Sequence, residues 1–187
     1  MSFLLIVAFI IPFSRAGEPD FETFARDLEA PADHPEERYR FRQEIYGQLA
    51  ELVRERPGVV EPFRVGETVE HRPIWGFRVR APGSEPKVKV LVFAGIHALE
   101  WIGSEVATTF LLEMGAMPQR GVELTVIPLL NVDGRARTEA DLLAGENVYR
   151  RGNANHVDLN RDFEINREAK AFWRHIVPAY DTNVGWR

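Results

Sequence analysis

Two apolar runs, residues 88–94 (VKVLVFA) and 121–130 (GVELTVIPLL), flank a segment with helical spacing. This order constrains the fold more than any other feature of the chain. The first run is nearly continuous in apolar residues, as a buried strand requires, and it ends at Gly95. Residues 103–117 set Val106, Phe110 and Met114 in one helical row, with Leu111 beside it. A strand, a helix and a second strand form a βαβ unit, so the two strands pair in parallel through a right-handed crossover. Sheets of this kind take ligands beyond the carboxyl ends of their parallel strands. Candidate chemistry is therefore expected after Gly95 and after Leu130.

The remaining segments extend this unit. Residues 36–56 carry Phe41, Ile45, Leu49, Leu52 and Val53 on one stripe and read as a helix stopped by Pro57-Gly58. Residues 61–66 and 73–80 read as two short strands joined by a polar turn. The expected fold class is α/β, with a central mixed, partly parallel sheet and flanking helices. Residues 20–33 form an acidic, proline-punctuated arm. Residues 131–155 read as a long loop with one short helix at 139–143, and residues 166–177 as a last amphipathic helix. Long loops in compact domains are usually functional.

Residues 3–11 are an apolar run too short to span a bilayer. They fit the core of a secretory signal, and Ser14-Arg15-Ala16 offers small residues at the positions a signal peptidase reads. Residues 1–16 are thus expected to be a signal peptide, with a secreted or periplasmic mature chain from Gly17. A buried strand or a misassigned start is the competing reading. The chain has 23 Lys and Arg against 28 Asp and Glu, a net charge of −5, which gives no electrostatic footprint for nucleic acid. It has no cysteine. Thiolate metal sites, disulfides and cysteine nucleophiles are excluded, and any metal must be held by His, Asp or Glu.

His97 and Glu100 follow the first strand in GIHALEW. Imidazole and carboxylate are ligands a catalytic zinc takes, but a packed or capping histidine fits the same spacing. His34 and Glu37 repeat the spacing in a polar segment, so location separates the two pairs. Asn160 and Arg161, in VDLNRDF, suit a carboxylate, because a guanidinium presents a fixed fork of donors; a surface ion pair is the alternative. Asp158 has the chemistry to orient a metal-bound histidine through its other ring nitrogen. Asn131-Val132-Asp133-Gly134 reads as turn chemistry. Trp75, Trp101, Trp173 and Trp186 read as core or rim.

GIHALEW, NVDG, NVYRR and VDLNRDF, in this order, resemble the zinc carboxypeptidase family of the A and B type, as does the upstream FRVGETVEHRPIWGFRV. The resemblance runs from about Tyr39 to about Phe163. It implies that His97 and Glu100 are the first two ligands of a zinc ion. It implies that Arg150 polarises the scissile carbonyl and steadies its oxyanion, and that Asn160 and Arg161 bind the substrate's terminal carboxylate. Asp158 is then the acid behind the zinc histidine. The implied substrate is a peptide, or a small amide, with a free C-terminal carboxylate. A related zinc deacylase acting on N-acyl amino acids, and an inactive carboxylate-binding fragment, are the alternatives.

The sequence departs from the family at Leu99, where an arginine is frequent, and at Asn147, where digestive members carry a basic residue. The family's third ligand histidine, capping tyrosine and catalytic glutamate come later along the chain than any segment matched here. His156 and His175 match no ligand position. Residues 17–187 are therefore expected to be the N-terminal portion of a catalytic domain, silent as a peptidase on their own, with an uncovered sheet edge.

Overall fold

The computed structural model describes residues 20–28 and 39–161. The expected signal peptide, the His34–Glu37 pair, His175 and the helix at 166–177 lie outside them. The elements run α1 (Phe21–Asp27), α2 (Arg42–Glu55), β1 (Val60–Glu67), β2 (Pro73–Arg80), β3 (Val88–Phe93), α3 (Trp101–Ala116), β4 (Val122–Ile127), α4 (Val132–Leu143) and a 3₁₀ turn (Leu159–Arg161). The sheet order is β1-β2-β4-β3. β1–β2 and β2–β4 pair antiparallel, while β3 and β4 pair in parallel through α3, with Val88 opposite Val122 and Phe93 opposite Ile127. The fold is thus α/β with a mixed, partly parallel sheet.

The core sits where α2 meets the sheet. Ile45, Leu49 and Leu52 recur at helical spacing and are buried against Phe77 and Val79 of β2 and Leu124 and Val126 of β4. Glu44 reaches back to the Phe41 amide at 2.7 Å and closes the start of α2. α1, capped by Asp20 on the Thr23 amide at 2.8 Å, packs Phe21 edge-on against Phe77 and Trp75, at 4.8 and 5.2 Å between ring centres.

Two features go beyond the sequence reading. In α3 the buried face is Ser104, Ala107, Thr108, Leu111 and Gly115, while Val106 is 62% exposed and Phe110 36%. Side-chain volume decides this. A Cβ on Gly115 would lie 2.8 Å from Leu52 Cδ2, so the helix approaches α2 and the sheet too closely for large residues. The second corrects an expectation: α4 fills much of the expected loop. Its buried face carries Asp133, Arg135 and Glu139, so the helix has no apolar stripe to read. Arg135 donates to Glu139 at 3.1 Å and lies over the Trp101 ring at 3.6 Å, and Glu139 accepts from Arg42 at 2.7 and 2.8 Å. Burial pulls the Arg135 pKa down to about 10, against the Glu139 carboxylate that supports its charge.

The β1–β2 turn is fastened to α4 by Asp133. It accepts from the Thr68 hydroxyl at 2.7 Å, the Glu70 amide at 3.0 Å and Arg72 at 2.7 Å. Burial alone would raise the Asp133 pKa, but these donors outweigh it and hold it below 3.8. A lowered carboxylate pKa contributes stability above the unfolded value, and that stability is lost as pH falls through the folded value. Asp133→Asn should cost about 1–3 kcal/mol at pH 7. The difference from the parent chain should shrink below about pH 4. Urea titrations across pH 3 to 7 measure it, and a gap that is constant with pH would refute the assignment.

Candidate active site

Gly95 ends the first parallel strand in the left-handed region, at φ 66°. A Cβ there would meet Ser104 Oγ at 2.8 Å and Leu129 Cδ1 at 2.9 Å. Only glycine turns the chain here without strain or clash, and the turn delivers His97 into a buried position. The backbone pairing continues beside it: Ala94 donates to Ile127 at 2.9 Å, and Asn131 donates to Gly95 at 2.9 Å.

His97 is held on both ring nitrogens. Nε2 lies 3.0 Å from Asp158 Oδ1, and Nδ1 lies 2.9 Å from Glu100 Oε2. The Glu100 side chain is half exposed, whereas those of His97 and Asp158 are buried. Burial alone would raise the Asp158 pKa. Arg151, the Asn160 amide and His97 reverse this and hold the carboxylate below its ordinary value. Arg151 donates to Asp158 Oδ2 at 2.8 Å and to Glu100 Oε1 at 3.1 Å. One guanidinium therefore bridges the two carboxylates that flank the imidazole. The Asn160 amide donates to Asp158 Oδ1 at 3.0 Å. The 3₁₀ turn places Arg161 directly after it. An apolar groove opens beside the site, walled by Val92, Ile96, Ile102, Val106 and Phe110, with His97, Glu100 and Asn160 also lining it.

The donor pair fits zinc. Ligand bonds of about 2.0–2.2 Å in a tetrahedral arrangement hold two donor atoms about 3.3 Å apart. His97 Nδ1 and Glu100 Oε2, at 2.9 Å, need only a small opening. The far nitrogen is already fixed by a carboxylate, as metal-binding histidines usually are. Among the described residues there is no group of three or more His, Asp or Glu arranged to hold a metal ion.

Arg150 lies elsewhere. It forms a two-point ion pair with Asp141 of α4, Nη2 to Oδ1 at 3.0 Å with Nε on the other oxygen. That pairing raises the arginine's pKa and lowers the aspartate's. The residue at the site is its neighbour Arg151, which sequence reasoning did not single out. The chain here turns one of two adjacent arginines onto Asp158 and the other onto Asp141. Their order alone does not say which.

The sequence model of the zinc carboxypeptidase family matches residues 45–183. The chain belongs to the zinc carboxypeptidase family. Carboxypeptidase O from Bos taurus is 28% identical over 68% of the chain and 37% of its own length. Carboxypeptidase O from Homo sapiens is 29% identical over 64% of the chain and 35% of its own length. The chain thus spans about a third of the curated relatives it matches. Among solved structures, carboxypeptidase A from Helicoverpa armigera superposes with a TM-score of 0.59 at 22% identity, covering 73% of this chain and 36% of that one. Bovine thrombin-activatable fibrinolysis inhibitor, in complex with tick carboxypeptidase inhibitor, gives a TM-score of 0.57 at 24% identity, covering 68% and 44%. At these identities the structural likeness speaks to the fold.

Gly95→Ala should destabilise the chain by about 2–4 kcal/mol, from a left-handed residue and a forced contact. Thermal unfolding measures it, and a loss below about 0.5 kcal/mol would mean that the turn has other conformations open to it.

Proposed function

We propose that this chain carries the N-terminal half of a zinc-dependent metallocarboxypeptidase site that hydrolyses C-terminal residues from peptides. The observation that supports this most strongly is the imidazole of His97. It is braced by Asp158 at 3.0 Å on one nitrogen and faces Glu100 at 2.9 Å with the other. Zinc supplies a Lewis acid and a water of lowered pKa when bound. His97 Nδ1 and Glu100 Oε2 would hold it. Catalytic zinc usually has three protein ligands, so the remaining ligand and the general base come from outside the described residues.

The chain's own residues divide the other tasks. Asp158 keeps the proton on Nε2 of His97, which leaves Nδ1 as the free donor atom. Arg151, rather than Arg150, is proposed to steady the developing negative charge. Its guanidinium has five N–H donors and already reaches Glu100 at 3.1 Å. Asn160 and Arg161 are proposed to grip the terminal carboxylate; Asn160 lines the groove that opens on His97. The apolar groove wall suits a substrate's nonpolar portion. An exported location rests on residues 1–16 alone. No helix among the described residues is long and apolar enough to cross a membrane.

Zinc content per chain tests the metal reading. The parent chain should retain zinc through dialysis against a weak chelator, and His97→Ala should lose it; equal zinc in both would refute the site. In a form of the protein that hydrolyses peptides, Arg151→Ala should lower kcat on the order of 10²–10³-fold. Arg150→Ala should change it little. Arg161→Ala should raise KM chiefly for substrates with a free terminal carboxylate. An equal loss on free-acid and amidated peptides would count against the carboxylate role.

A further inference from the structure

The segment Asn131-Val132-Asp133-Gly134 does more than make a turn. Asn131 is 2% exposed, and its side chain is used at both ends. Oδ1 accepts from the Gly134 amide at 3.0 Å and caps α4. Nδ2 donates to the Ile96 carbonyl at 3.1 Å and to the Gly152 carbonyl at 3.0 Å. A primary amide nitrogen has two hydrogens, so both are engaged. Ile96 immediately precedes His97, and Gly152 immediately follows Arg151. Both positions are tightly set. A Cβ on Gly152 would lie 2.8 Å from the His156 backbone, and one on Gly134 would lie 2.6 Å from Asn131 Nδ2.

We propose that Asn131 is a positioning residue: it staples the turn bearing His97 to the segment bearing Arg151 and thereby sets the affinity of the His97–Glu100 pair for zinc. This rests on the zinc reading above. The helix cap alone does not call for asparagine, because serine and aspartate cap equally well. The two donated bonds do call for it, since neither of those side chains supplies two donors. Through them the two segments keep a fixed separation, which lets Arg151 reach Asp158 at 2.8 Å and Glu100 at 3.1 Å together. A backbone bond crosses the same seam, from the Ala98 amide to the Arg151 carbonyl at 3.2 Å.

The Ala98 amide reports on the seam without any metal. In the full 187-residue chain, Asn131→Ser keeps the cap and removes both donors. Its Ala98 amide should exchange about tenfold or more faster by NMR, while amides of the central strand, such as Phe77, keep their protection. Its zinc affinity, measured by chelator competition, should fall about 10–100-fold. Unchanged Ala98 exchange overturns the staple. Faster exchange with unchanged zinc affinity overturns the positioning role and leaves a structural one. A second measurement uses the parent chain alone, should the variant fail to fold. Coupling is reciprocal, so zinc should slow exchange at Ala98 and at the Asn131 side-chain amide, and no slowing refutes the proposal. If the parent chain binds no zinc, the metal reading falls, and with it the claim on affinity; Ala98 exchange in Asn131→Ser still decides whether the staple exists.

Discussion

The parallel pairing of β3 with β4 runs on past the ends of both strands, and the candidate site hangs on that continuation. Ala94 bonds to Ile127 and accepts from Leu130, and Asn131 then bonds to Gly95. Backbone hydrogen bonds thus carry the two chain segments forward side by side until Gly95, at φ 66°, turns one of them away. His97 emerges from that turn and Asn131 from the neighbouring strand end. The chemistry begins where the ladder stops, because there the side chains no longer serve the sheet.

Charge is treated in the same way on both sides of this junction. Arg135, Glu139, Asp133 and Asp158 are all buried, and each has a partner of opposite charge or several donors. An unpaired charge in such positions would cost several kcal/mol, while a well-paired one is close to neutral against an apolar replacement. These networks therefore add little net stability. What they add is a single arrangement: α4 locks to the start of α2 through Glu139 and Arg42, and His97 locks to Arg151 through Asp158.

The strands were legible because apolar runs bounded by turn residues leave few other readings, and Val88–Phe93 and Pro73–Arg80 fall within a residue of the reading. α4 was not legible. Its inward residues are charged, and their burial depends on partners far away in sequence, such as Arg42, 97 positions from Glu139. The inward face of α3 was not legible for a related reason: close packing selected serine, alanine, threonine and glycine beside Leu111. At the site, His97, Glu100 and Asp158 stood out from chemistry, strand ends and ordered motifs, and they come together in the structure. Choosing between Arg150 and Arg151 required knowing which of the two meets Asp141 and which meets Asp158.

Trp101 opens α3 directly beside the His97 turn. Its indole N–H donates to the Ala98 carbonyl at 3.1 Å, one residue beyond His97, and its ring lies under the Arg135 guanidinium at 3.6 Å. The indole thus meets a cation on its face and a peptide carbonyl at its edge. A shift of that turn would therefore move the acceptor of the Trp101 indole bond, at one of the chain's four tryptophans.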